Sequence, residues 1–178
     1  MIKKSLRLLT CIMENDYIEI NKALWNNKTD IHIASEFYDN EHFLKGENSL
    51  KEIELNLLGD IEGKRILHLQ CHFGQDTMSL ARMGASVVGV DLSDKAVEHA
   101  NATANDLNLD ATFICCDLYD AHNHVHEKFD LVLTTYGTIG WLPDINQWEN
   151  TVSHFLKTSG QMVFVGICPV YLRFCEEL

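Results

Sequence analysis

The segment Ser86-Val87-Val88-Gly89-Val90-Asp91 constrains the fold more than any other stretch of the chain. It is a continuous, β-branched apolar run without polar alternation, the pattern of a strand covered on both faces. A sheet built of such strands needs helices packed on either side. The neighbouring sequence supplies them. Residues 75–83 read as a helix in which Met78, Leu80, Ala81 and Met83 are the apolar positions and Gly84 is the stop. Ser93 is placed to cap a second helix carrying Ala96, Val97, Ala100, Ala104 and Leu107 along one side.

The same rhythm extends in both directions. Residues 66–69, 112–116, 129–134 and 161–165 read as further strands. A helix near 145–156 sets Trp148, Val152, Phe155 and Leu156 on one face. Five strands alternating with helices predict an α/β fold, a doubly wound and mostly parallel sheet with helices on both faces and right-handed crossovers. Upstream, residues 15–58 are polar and helical in character, punctuated by Tyr17, Trp25, Phe37, Tyr38 and Phe43, and form a helical cap. Residues 1–14 are expected to be a poorly ordered extension. Their short apolar part is broken by Arg7 and has no small-residue cleavage site, so it does not read as a signal peptide. Met13, standing where the polar segment begins, suggests an upstream extension or a misassigned start. The core then runs over 59–178, one domain overall.

Composition narrows the partners. Lys and Arg number 14 against 26 Asp and Glu, a formal charge of -12. Phosphate backbones and anionic lipid surfaces require a basic face, so neither a nucleic acid nor a membrane surface is the expected partner. No apolar run reaches the roughly 20 residues of a membrane span. The six cysteines form no CxxC pair, and three lie in or beside apolar runs, which reads as free thiols in a reducing cytoplasm. Cys115 and Cys116 are adjacent on a strand and face opposite ways, a poor arrangement for joint metal ligation. His122, His124 and His126 alternate without an acid or cysteine at ligand spacing, so no metal is expected.

In open parallel sheets, ligands bind beyond the carboxyl ends of the strands, near the point where strand order reverses. Four strand ends carry chemistry here: Gln70-Cys71-His72-Phe73-Gly74, Asp91, Asp117-Leu118, and Thr135-Tyr136. Asp91 stands 17 positions beyond Gly74, where a carboxylate can accept two hydrogen bonds from a ribose diol. Asp117 suits an adenine amine, which only donates, and equally suits a turn cap. A diphosphate needs the close backbone approach of G-x-G-x-x-G, yet only Gly74 is a glycine, with Gln70 and His72 where two others would lie. A smaller zwitterionic amino-acid arm tolerates such a loop, its carboxylate resting on backbone N–H groups at the following helix N-terminus.

These runs, Ile66-Leu67-His68-Leu69-Gln70-Cys71-His72-Phe73-Gly74-Gln75-Asp76-Thr77 and Val88-Gly89-Val90-Asp91-Leu92-Ser93 above all, resemble the cofactor core of class I S-adenosylmethionine-dependent methyltransferases. The loop is similar to that of a bacterial subgroup with Gln-Cys-His-Phe-Gly-Gln at this place. Tyr136-Gly137-Thr138-Ile139-Gly140-Trp141-Leu142-Pro143-Asp144 resembles the segment after strand four, and Leu156-Lys157-Thr158-Ser159-Gly160-Gln161 the turn before strand five. The resemblance implies a Rossmann-like sheet with five of the usual seven strands present, hence a chain truncated at its C-terminus whose strand-five edge could self-associate. It implies S-adenosylmethionine as cofactor. Gly74 and its neighbours His68, Gln70 and His72 would hold the methionine end, Asp91 and Leu92 the ribose and adenine, and Asp117 and Leu118 the adenine. Thr135 and Tyr136 would line the floor near the sulfonium. Where the family has an acid stands His68, which leaves the Gln70 carbonyl or the Tyr136 region to hold the methionine amino group.

Methyl transfer is an in-line displacement that mainly needs alignment and a water-poor site. A general base matters only for a protonated acceptor; His72 and Tyr136 lie at suitable strand ends, and each also fits a loop-packing role. Tyr38, Trp141 and Trp25 could cover a small-molecule acceptor or belong to the core. A non-catalytic remnant and a nicotinamide-dependent oxidoreductase are the alternatives, the latter disfavoured by the loop.

Overall fold

The computed structural model describes residues 2–166, with side chains over 17–166. Strands β1 (Arg65–Leu69), β2 (Ser86–Asp91), β3 (Ala111–Cys115), β4 (Phe129–Thr135) and β5 (Leu156–Val165) form one sheet in the order β3-β2-β1-β4-β5. Every pairing is parallel. Helices α1 (Ile2–Ile33), α2 (Asn40–Leu44) and α3 (Glu52–Leu58) precede the sheet. Helices α4 (Gln75–Arg82), α5 (Asp94–Asp106) and α6 (Ile145–Phe155) connect its strands, with 3₁₀ turns at Leu118–Asn123 and Ile139–Trp141.

Both faces of the sheet are covered, as the unbroken apolar strands require. Ile66, Leu131 and Leu133 pack with Leu58 of α3 and Leu80 of α4 on one side. Their neighbours Leu67 and Val132 pack with Val152 and Phe155 of α6 on the other. Successive strand residues point to opposite faces, so both must be apolar. Each such buried aliphatic side chain contributes about 2 kcal/mol relative to exposure. A third cluster joins Phe43 of α2 to Met78, Val97, Ala100, Ala104 and Phe113.

The cap of α5 forms as its sequence indicates: the Ser93 hydroxyl accepts from the Ala96 N–H at 3.1 Å. Gly89 interrupts the valine run for a steric reason. A Cβ there would lie 2.6 Å from Phe113 Cδ1 and 2.8 Å from Cys71 Sγ, so β3 and the first loop can close only over a glycine.

Three boundaries differ from the sequence reading. The turn expected over 157–160 lies inside β5. Phe129 pairs with Leu156 and Leu131 with Gln161, so the intervening residues form a bulge, held by Lys157 Nζ to Asp130 Oδ1 at 2.8 Å. The helix read to 156 ends at Phe155, because Leu156 already pairs with β4. Helix α1 begins at Ile2, so no break in secondary structure marks the division expected near residue 14. Among the described residues no helix is long and apolar enough to cross a membrane. Cys71, Cys115 and Cys116 are free thiols, and the last two pack into different clusters on opposite sides of β3.

Candidate functional site

A cavity of about 520 Å³ opens beyond the carboxyl ends of β1 to β4. It sits where strand order reverses, with β1 flanked by β2 on one side and β4 on the other. All twelve residues read from the sequence as cofactor, substrate or catalytic candidates line this one space.

The loop after β1 keeps a glycine-type backbone without the glycines. Gln70 and His72 are left-handed at φ +57° and +52°, and Gly74 at +80°. A non-glycine residue held there costs about 1–2 kcal/mol. The side chains make offsetting contacts. Gln70 Nε2 donates to the Thr138 carbonyl at 3.1 Å, and His72 Nε2 and His32 Nδ1 share a hydrogen bond at 2.8 Å. Gly74 itself is required by packing, since a Cβ would stand 2.4 Å from Phe113 Cε1.

Asp91 ends β2 with both carboxylate oxygens partly engaged. Oδ2 accepts from the His72 N–H at 2.7 Å and Oδ1 from the Ser93 N–H at 2.9 Å. A carboxylate has about four acceptor sites, so each oxygen keeps capacity for a ligand hydroxyl. Leu92 follows on the same wall. Asp117 is a turn cap, Oδ1 accepting from the Tyr119 N–H at 2.6 Å at the start of the 3₁₀ turn, and the residue also lines the cavity. Leu118 beside it belongs to the core and to the cavity wall.

His68 forms part of the floor but holds no free polar atom. Nδ1 lies 2.8 Å from Thr77 Oγ1 and Nε2 3.2 Å from Thr135 Oγ1. It is fully buried, and burial pushes its pKa down to about 3, so the ring is neutral and ties α4 to β4. His72 is likewise pushed down to about 3, first by burial and then by the charges of His32, Lys28 and His99. Its Nε2 is engaged by His32 and its Nδ1 is buried without a partner. Tyr136 is pushed up to about 12 by burial and then by the nearby Glu54 carboxylate, so its hydroxyl keeps its proton near neutrality.

Rings form the opposite wall. Trp25 of α1 meets His72 edge-to-face at 5.2 Å and Trp141 at 5.5 Å. Tyr38 stacks on His32 at 5.0 Å and meets Phe73 at 5.0 Å. Lys28 Nζ lies 5.1 Å from the Trp25 ring and 5.8 Å from that of Trp141. The substrate-side candidates Tyr38 and Trp141 are thus drawn into one aromatic roof.

Sequence reasoning missed Ser49, Lys51, Asp76 and Thr138, which also line the cavity, and His32, which supports it. Asp76 carried a weak signal. An acid in a helix's first turn is commonplace as a partner for the helix dipole, which conceals its orientation toward a cleft. Burial raises the carboxyl pKa of Asp76, Asp91 and Asp117 alike. Lys51 is the one lysine or arginine among the described residues lining the cavity. Such a space favours a cationic ligand over a diphosphate.

Residues 66–160, just over half of the chain, match the family described as a methyltransferase domain. A ubiquinone biosynthesis O-methyltransferase of Alkalilimnicola ehrlichii is 25% identical over 135 residues, covering 74% of this chain and 54% of that protein. The PH0226 protein of Pyrococcus horikoshii aligns with TM-score 0.65 and 23% identity, covering 83% of this chain and 68% of that one. An S-adenosylmethionine-dependent methyltransferase from Thiobacillus denitrificans, solved with S-adenosylhomocysteine, aligns with TM-score 0.53 and 23% identity over 65% of this chain and 48% of that one. The chain spans 49% to 63% of the length of the curated relatives it matches. The matched stretch contains the loop, the strand-end acids and the sheet that builds the cavity, and this chain belongs to the class I S-adenosylmethionine-dependent methyltransferase family.

Proposed function

We propose that this chain binds S-adenosylmethionine in the 520 Å³ cavity and directs methyl transfer to the oxygen of a small acceptor that enters under the aromatic roof. The acceptor enters already ionised, its proton lost to water, and the methyl–sulfur bond breaks as the methyl–oxygen bond forms. The observation that carries the reading is the convergence of Asp76, Asp91 and Asp117 on one cavity with a single lining lysine. S-adenosylmethionine combines a nucleoside with two cationic centres, and the residues present fit it. Asp91 retains acceptor capacity for ribose hydroxyls, and Asp117 for the adenine amine. The oxygen acceptor is supported by the curated relatives, whose names specify O-methyl transfer.

When bound, the cofactor supplies a methyl group already activated on sulfur. The chain's own task is alignment and exclusion of water. Asp91 fixes the nucleoside and at the same time pins the loop through the His72 N–H. Trp25, Tyr38 and Trp141 close the opposite side with ring surface, which leaves the acceptor a largely dry, apolar seat. Tyr136 keeps its proton and can donate a hydrogen bond to the acceptor or to the cofactor's arm.

Thermal unfolding with ligands tests the reading. S-adenosylhomocysteine at about 100 times its Kd should add roughly 2.7 kcal/mol to stability, with a clear rise in Tm. Asp91→Ala should abolish the rise. A rise with NAD in place of S-adenosylhomocysteine would favour oxidoreductase chemistry. No rise with either would leave the chain a non-catalytic remnant.

A further inference from the structure

The Asp91 carboxylate is held from two sides, and both sides lead to α1. Oδ2 accepts from the His72 N–H and Oδ1 from the Ser93 N–H. Each donor is in turn fastened to the helix. His72 has a left-handed backbone at φ +52°, which is unfavourable for a residue with a Cβ and persists only where its surroundings fix it. Among the described residues its ring has one hydrogen-bond partner, His32 in the last turn of α1, with Nδ1 at 2.8 Å from Nε2. On the other side, the Ser93 hydroxyl donates to Asn26 Oδ1 of α1 at 2.6 Å.

Helical spacing puts both attachments on one element. Trp25 and His32 stand seven positions apart, about two turns, so both rings reach His72, at 5.2 Å and 5.0 Å between centroids. Asn26 lies on the adjoining stripe that faces α5, where its Nδ2 also donates to Asp94 and Lys95 pairs with Asp30. His32 is itself steadied by Tyr38, whose ring stacks on it at 5.0 Å. A carboxylate with spare acceptor capacity serves a ligand only when it is aimed, because hydrogen bonds weaken steeply with misalignment.

Resting on the cofactor reading above, we propose that His32 and Asn26 are positioning residues, which through His72 and Ser93 aim the Asp91 carboxylate at the ribose hydroxyls. Neither residue lines the cavity, so both act at one remove. The helix that roofs the acceptor seat is thereby also part of the nucleoside grip.

Calorimetric titration with S-adenosylhomocysteine and with its analogue lacking both ribose hydroxyls reads the aim of Asp91. The wild-type chain should bind the hydroxyl-free analogue at least about tenfold more weakly, as loss of charge-assisted hydrogen bonds requires. His32→Phe keeps a ring against Tyr38 but deletes the hydrogen bond, and should narrow that gap about threefold. His32→Asn, which can return a polar atom near the place of Nδ1, should restore most of it. Asn26→Ala should narrow the gap from the Ser93 side and covers the case in which His32→Phe does not fold. His72→Asn tolerates the left-handed backbone and keeps the loop N–H, but lacks the ring nitrogen. In that background His32→Phe should narrow the gap no further, and a further narrowing there overturns the route through His72. A folded variant of His32 or Asn26 that keeps the full gap strikes that residue from the role, since lost packing alone lowers Tm and spares the discrimination. A wild-type chain that binds both ligands equally overturns the positioning role and leaves cofactor binding standing. Failure to bind S-adenosylhomocysteine at all overturns both.

Discussion

The floor and the roof of the cavity are assembled by different forces. The floor consists of the carboxyl ends of β1 to β4 and the loop after β1, set on three apolar clusters that cover both faces of the sheet. The roof is α1 with Tyr38 and Trp141, and α1 is strapped to the start of α5 mainly by polar contacts. Asn26 Nδ2 donates to Asp94 Oδ1 at 2.8 Å, Asn26 Oδ1 accepts from Ser93 Oγ at 2.6 Å, and Lys95 pairs with Asp30. Close-packed hydrocarbon transmits strain and unfolds cooperatively, whereas exposed polar straps are weak singly and open locally. The strand ends rest on close-packed core, whereas α1 meets them through these polar contacts, the His32–His72 hydrogen bond and the ring contact of Trp25 with His72.

The sharpest way to break the floor is Gly74→Ala. Left-handed backbone and the overlap with Phe113 together should cost about 3 kcal/mol, read as a lower denaturant midpoint with or without ligand. A loss below about 0.5 kcal/mol would mean that Phe113 yields and that the floor is softer than its packing indicates.

Acidification probes the same template through its buried histidine. His68 has a native pKa of about 3 against 6.5 unfolded, so between these values the unfolded chain takes up a proton that the native chain refuses. Its contribution to stability is then fully present above pH 6.5 and falls with pH, by up to about 1.4 kcal/mol per unit, until pH 3. Asp76, Asp91 and Asp117 act in the opposite sense, because their raised values let the native state take protons first. His68→Gln should flatten the acid limb of the stability curve measured from pH 7 to 4. An unchanged slope would show that the ring is protonated in the folded protein.

The smallest effect belongs to the roof. Asn26→Ala removes two of the straps and should cost only about 1 kcal/mol globally, while speeding hydrogen exchange selectively in α1. Exchange accelerated equally in β1 and β4 would erase the distinction between the two walls.

Legibility follows the same division. The valine run of β2, the Ser93 cap and the apolar faces of α5 and α6 were readable because each rests on local periodicity or a single hydrogen bond. The strand-end acids were readable because parallel sheets put ligands at one edge. Asp76 escaped because its spacing is that of an ordinary helix start, and Ser49, its partner, lies 27 residues away. The expected turn at 157–160 was absorbed as a bulge because pairing with β4 continues on both sides of it.

The sequence by itself determined the sheet, its covering helices, the lone demanded glycine of the loop and the acids at the ends of β2 and β3. Those features depend on side-chain period and on neighbours a few residues apart. Only the tertiary structure decided that Gln70 and His72 adopt glycine-like backbone, that His68 is consumed by two threonines, and that Trp25, Tyr38 and Trp141 share a roof. Each of these depends on partners brought in by how the layers close, such as Thr138 for Gln70, His32 for His72 and Thr135 for His68, and no local pattern encodes it.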